Sequence, residues 1–216
     1  MQPLTPVTRL QSTLLAVLAA LTAASCIKAP FPSQMYLQHL PTAAAIIGLG
    51  TLPRRYKISN AAFACLTAFL ALHVLGARYI YSYVPYDDWS RALLGFSLSE
   101  RFHWQRNHFD RVVHFFFGLL WVYPVWEISH RHFHVPSRSA RYVAVEFVMA
   151  FSMLYELFEW GLAMVLSPAD TGAYNGQQGD IWDAQKDMSF AVAGALLATI
   201  AILAWTRFRR RIRSAD

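Results

Sequence analysis

Six apolar runs constrain this chain more than any other feature. They cover residues 10–27, 36–52, 58–76, 110–128, 142–166 and 187–206. Each has about the 17 to 25 residues that a helix needs to cross the hydrocarbon core of a bilayer. With 56% of residues hydrophobic and 15% charged, the chain falls well below the roughly quarter-charged composition of soluble domains. The mean hydropathy is +0.29. Together these predict an all-α, polytopic membrane helix bundle of about six transmembrane helices, forming a single membrane domain over residues 1–216. Cys26 and Cys65 both lie in apolar runs without CxxC spacing, so neither a disulfide framework nor a thiolate metal site is expected.

The basic residues set the orientation. If both termini are cytoplasmic, 12 of the 19 Lys and Arg residues fall on the inside, and Arg111 lies at a helix mouth. Loops rich in Lys and Arg stay inside, so this assignment is expected. The net charge of +6 is then read as orientation and contact with membrane lipids, not as nucleic-acid binding. The Arg207–Arg213 run becomes an anchor on anionic headgroups. The first run also has features of a signal peptide, with Arg9 before it and Ala23-Ala24-Ser25-Cys26 at its end. We expect it to be retained as a helix, because Ala23 stands where a lipoprotein cleavage site usually has Leu.

This topology brings ionisable groups from four segments to the outer leaflet. His73 lies near the outer end of the third run, and Asp110 and His114 lie near the outer mouth of the fourth. Glu156 lies about 14 residues into the fifth, roughly 21 Å along a helix. Asp180, Asp183 and Asp187 stand at the mouth of the sixth. Charged groups near apolar spans are costly and point to function. Asp110 and His114 are spaced i, i+4; Glu156 and Glu159 are spaced i, i+3; Asp180, Asp183 and Asp187 form one stripe. Carboxylates with an imidazole suit zinc, manganese or iron, and carboxylates alone suit magnesium or calcium. We therefore expect a divalent metal (zinc, manganese or magnesium) on His114, Glu159, Asp183 and Asp187, with Glu156 as general base. Asp110, Arg111, Asp180 and His73 complete the cluster. No HExxH or other standard metal motif is present.

Each feature also has a plainer reading. Asn107 and Asp110 suit the start of a helix, and Asp180 suits a cap. His114 can be a hydrogen-bonded interior residue, and Glu156 and Glu159 can snorkel. The glycines of Tyr174-Asn175-Gly176-Gln177-Gln178-Gly179 suit a tight turn. His130, His132 and His134 suit a solvated loop. Glu127 and Glu146 suit weak pairs with loop arginines.

Four segments resemble the YjdF-like family of bacterial inner-membrane proteins, whose function is unassigned. They are His73-x-x-Gly76-x-x-Tyr79 with Val84-Pro85; Asn107-x-x-Asp110-x-x-x-His114-Phe115-Phe116-x-Gly118; Tyr155-Glu156-Leu157-Phe158-Glu159-Trp160; and Gly176-x-Gln178-Gly179-Asp180-x-Trp182-Asp183-x-Gln185-x-Asp187-Met188. The resemblance implies a multi-pass protein of the bacterial inner membrane and offers no reaction. Arg111 departs from it by standing where Lys is common after the Asp. The Asp-x-x-x-His-Phe pattern before an acidic final hairpin is also distantly similar to VanZ-like membrane proteins, an analogy that does not assign function.

Three functions fit these residues. One is a metal-dependent hydrolase or transferase acting on a lipid-linked substrate, with Trp160 and Trp182 on its rim. Another is a proton-coupled transporter using the same groups as a relay. The third is a non-catalytic, partner-binding membrane protein whose acids form a buried network with Arg78, Arg106 and Arg111.

Overall fold

The computed structural model describes residues 7–165 and 178–213. Each apolar run lies on a helix: α1 (Arg9–Ser25), α2 (Pro32–Tyr56), α3 (Asn60–Arg78), α6 (Phe109–Arg131), α7 (Ser137–Ala163) and α8 (Asp183–Arg213). Two short helices, α4 (Tyr86–Leu94) and α5 (Leu98–Phe102), fill the third connection. Periodicity over long apolar windows does not find helices of this length. The Tyr174–Gln177 portion of the expected turn lies outside the described residues, as does Leu166 at the end of the fifth run.

Local chemistry fixes several boundaries. Thr8 and Gln11 form a capping box at α1. Ser59 caps α3 by accepting from the Ala62 amide at 3.1 Å. The second helix starts at Pro32, a residue suited to a first turn, and carries Pro41 and Pro53 inside it. Pro41 is therefore an internal residue and not the entry to the helix.

Among the described residues, three helical segments are long and apolar enough to cross a membrane: Asn60–Arg78, Phe109–Arg131 and Asp183–Arg209. Arg9–Ser25 is a shorter apolar helix. The α2 and α7 helices are of similar length, at 25 and 27 residues. On α7, Leu154, Leu157, Phe158 and Trp160 are each at least half exposed. Such an apolar exterior suits lipid.

Helix α6 is the central element and packs on α3, α7 and α8. One core joins α1, α2 and α3 through Leu18, Leu49, Phe63 and Leu66. A second joins α6, α7 and α8 through Val122, Val148, Ala191 and Ala195. The approach of α6 to α8 is closest at two glycines. A Cβ on Gly118 would lie 1.9 Å from the Ala191 carbonyl oxygen, and one on Gly194 would lie 2.0 Å from that of Phe115. Small residues let helix backbones meet in a bilayer, where packing drives association. This crossing positions the site. On α6 the sequence Asp110, His114, Gly118, Val122 runs at i+4 spacing. On α8 the sequence Asp183, Asp187, Ala191, Ala195 does the same. Where the small residues hold the backbones together, the ionisable ends of both ridges face each other.

Candidate metal and carboxylate centre

The polar cluster has two halves. In the outer half, Arg106 and Arg111 bind the start of α8. Arg106 donates to Asp183 and lies 3.6 Å from Asp180. Arg111 donates to Asp180 and also approaches Asp183 at 3.5 Å and Asp187 at 3.9 Å. Lys186 donates to both Asp180 oxygens, at 2.9 and 2.6 Å. The hydrogen bond from Lys186 is the main force holding the Asp180 carboxyl well below its ordinary pKa, and Arg111 adds to it. The side chain of Asp180 also accepts from the Trp182 amide at 3.1 Å. The cap expected at Asp180 is therefore present within a larger ion network.

The connecting loop is pinned from both sides. The Asn107 side chain accepts from the Phe109 amide and donates to the Val84 carbonyl, both at 2.9 Å. Gln178 accepts from the Asn107 amide at 2.8 Å and donates to its carbonyl at 3.2 Å. The Nη1 of Arg111 donates to His108 Nδ1 at 3.0 Å. Burial and then the two arginines lower the His108 pKa.

The inner half is built differently. Ligand atoms of Asp110, His114 and Asp187 all lie within 4.8 Å of one another, and all three residues are buried. Such a group could hold a metal. His114 Nε2 is 3.8 Å from Asp110 Oδ1 and 3.5 Å from Glu156 Oε1. Among the described residues, Asp187 Oδ1 and Glu156 Oε1 are buried without a hydrogen-bond partner. A buried carboxylate oxygen without a donor is expensive unless a proton or cation meets it. Glu159 accepts from Tyr155 and lies within electrostatic reach of Asp110, Glu156 and Asp187.

Of the four expected metal ligands, His114 and Asp187 fall in the compact group, where Asp110 joins them. Asp183 faces the arginines, and Glu159 stands beside Glu156 on a cavity of about 310 Å³ between α7 and α8. His73 approaches from α3. Its Nε2 donates to the Gln38 carbonyl at 3.2 Å and its Nδ1 accepts from Tyr81. Both ring nitrogens are thus used, and His73 lines a separate cavity that also reaches Asp110 and His114. The expected network partner Arg78 instead donates to the Ser25 and Ile27 carbonyls.

Sequence reasoning missed Ser152, which is 2% exposed and one helical turn before Glu156 on the same face; that i+4 relation was the available signal. The pair expected between Glu127 and an arginine is present, with Arg131, but the carboxylate is buried. Glu127 is 1% exposed, accepts from the Ser59 amide at 2.9 Å and pairs with Arg131 at 2.7 Å. It ties the start of α3 to the C-terminal end of α6.

These features define a helical membrane protein with buried carboxylates between its central helices. The chain belongs to the family described as Predicted membrane protein (DUF2238), which it matches over residues 10–209. It is 31% identical over 148 residues to the Inner membrane protein YjdF of Escherichia coli (strain K12). That alignment covers 68% of this chain and 66% of the relative, just under two thirds of the relative's length. No solved structure matches the chain.

Proposed function

We propose that this chain is a six-span, single-domain protein of the bacterial inner membrane with both termini cytoplasmic, and that its buried centre serves a metal-dependent hydrolase or transferase acting on a lipid-linked substrate. The basic-residue distribution supports the orientation. The printed name of the relative supports the compartment.

The observation that carries the reading is the compact Asp110, His114 and Asp187 group beside two carboxylate oxygens without donors. The residues fit a divalent ion. Two carboxylates and an imidazole suit zinc or manganese, and the three ligand atoms, all within 4.8 Å of one another, would draw in to meet bonds of about 2.0–2.2 Å. A bound ion in such a site lowers the pKa of water and polarises an acyl or phosphoryl oxygen.

Glu156 would take the proton of an attacking water; its Oε1 lies 3.5 Å from His114 Nε2 and its side chain lines the cavity between α7 and α8, which supports that role. In hydrolysis the water oxygen bonds to the acyl carbon or phosphorus. Its proton passes to Glu156 and then to the departing oxygen as the ester bond breaks. Asp183 and Asp180, fixed by Arg106, Arg111 and Lys186, hold the start of α8 so that Asp187 faces His114.

The arginine network also supports a structural role for the outer half. A proton relay is less well supported. Glu127, the next buried carboxylate on α6, lies 13 residues beyond His114, about 20 Å along the helix, and is held by Ser59 and Arg131.

Elemental analysis of detergent-purified protein tests the reading. One zinc or manganese per chain is expected in the wild type, and none in folded Asp187→Asn or His114→Gln. Folded wild type that takes up no ion after zinc, manganese and magnesium are added back would overturn it.

A further inference from the structure

Two of the three metal-competent residues, Asp110 and His114, stand at one end of a half-open cavity of about 240 Å³ lined by α2, α3, α6 and α7. The polarity of this cavity changes along its length. At one end are Asp110 and His114, with Tyr155 packed on the His114 ring at a centroid distance of 5.8 Å. The paired His73 and Tyr81 lie there too. At the other end, Phe69 and Phe117 meet at 5.5 Å, and Phe151 completes the wall. On each of α3, α6 and α7 the polar residue is three to seven positions from the phenylalanine. Three chain segments thus produce the same gradient. From Asp110 to Phe117 the cavity follows about 10 Å of helix. A space of this volume and length admits one hydrocarbon chain and not two.

Between the ends, Ser152 lines the cavity. It is 2% exposed, and its hydroxyl is without a hydrogen-bond partner among the described residues. A serine inside a helix ordinarily bonds back to the preceding turn. A buried hydroxyl left open costs free energy unless something in the cavity meets it. Pockets for small molecules combine apolar walls with a few such placed polar groups.

We propose that this cavity binds the single hydrocarbon chain of an amphiphilic substrate, its polar head at Asp110 and His114 and its tail against Phe69, Phe117 and Phe151, with Ser152 hydrogen-bonding an oxygen close to the head. This deepens and rests on the functional reading above, since the bond to be cleaved would lie at the head. The phenylalanine end sets how long a chain can enter, and Ala45 of α2 forms part of the side wall.

The test uses full-length detergent-purified protein and photoactivatable straight-chain fatty alcohols from octanol to hexadecanol. Their neutral heads make binding independent of the ion. Saturable labelling at Phe117 or Phe151, mapped by mass spectrometry, is expected in the wild type. Ala45→Phe should fill the space and reduce labelling by about tenfold or more while metal content and melting temperature stay unchanged. Phe151→Ala should move the preferred length toward longer chains. Labelling that falls instead on the exposed Leu154 and Phe158, with equal yield in Ala45→Phe, would overturn the proposal. Loss of fold in Ala45→Phe leaves the length shift in Phe151→Ala as the deciding result, and an unchanged preference there would overturn it too. Saturable cavity labelling of protein that binds no metal would sustain the chain site and remove the enzymatic reading. Metal without cavity labelling would do the reverse.

Discussion

Asp183 and Asp187 are one helical turn apart on α8, yet their substitutions should act in opposite directions. Asp183 is 4% exposed and lies between Arg106 and Arg111. Removing its charge leaves buried guanidinium groups short of a counter-ion. Breaking such a pair costs about 3–5 kcal/mol. Asp187 is 2% exposed, with one oxygen unpartnered and its nearest cation 3.9 Å away. In metal-free protein, Asp187→Asn removes an uncompensated charge and should leave stability unchanged or higher. Chemical denaturation of both variants in chelator-treated detergent solution measures this. Equal losses in the two would show that Asp187 belongs to the arginine network and not to an ion site. At this scale the sequence was informative about which side chains converge and less so about how they divide. The spacing of Asp180, Asp183 and Asp187 reads as one stripe. Their separate partners follow from Arg106 and Arg111, which approach from a different segment.

The elements that matter most are α6 and α8, and their shared surface makes a sharp demand. A side chain at Gly118 meets the Ala191 backbone, which cannot rotate away. Gly118→Val should push the helices apart and cost about 1–3 kcal/mol or more. Because Asp110 and His114 lie on the ridge that ends at this crossing, metal binding should fall with it, although the glycine is one full turn beyond His114. Gly48→Val, where an added Cβ meets nothing within 4 Å, is the control. Retained metal stoichiometry in a folded Gly118→Val protein would break the link between crossing and site. The α4–α5 segment responds to pH instead. Desolvation acts to raise the Asp87 pKa, but the Ser99 amide and Ser97 hydroxyl, each at 2.9 Å, together with Arg91 hold it below the ordinary value. A carboxyl with a lowered folded pKa contributes stability above its unfolded value, about 4, and loses it as pH falls through the folded value. Hydrogen-exchange protection of residues 86–102, corrected for the intrinsic pH dependence of exchange, should therefore fall below about pH 4, and Asp87→Asn should remove that dependence. The apolar runs made the six long helices legible in the sequence. These two short ones were not, because nine and five residues are too few to register as a span; the Ser97 cap on α5, the Ser97 and Ser99 bonds to Asp87 and the Arg91–Glu100 pair at 2.7 Å hold them.

For the whole molecule, the substrates that the site can meet depend on which side of the membrane the mouth of α6 faces. An inverted chain would present the same site to the cytoplasm and change the available substrates. The basic loops argue for an outward mouth: Arg131, Arg138 and Arg141 flank the α6–α7 connection, and the Arg207–Arg213 run closes α8. The two native cysteines make the orientation measurable. Cys26 is the C-terminal cap of α1, half-buried at the expected outer surface, whereas Cys65 lies inside α3. In a Cys65→Ala background, a membrane-impermeant maleimide should label Cys26 in intact cells. With Cys26 also replaced, Ser139→Cys in the exposed first turn of α7 should label only after lysis. The reverse pattern would place Asp110, His114 and Asp187 near the cytoplasm. In that case the positive-inside reading fails, the search for substrates moves to the inner leaflet, and the internal geometry of the site is unchanged. A third position, Arg91→Cys on α4, fixes the count: with Cys26 and the Arg91→Cys position labelled and the Ser139→Cys position protected, α2 and α3 form one crossing pair and α6 crosses back.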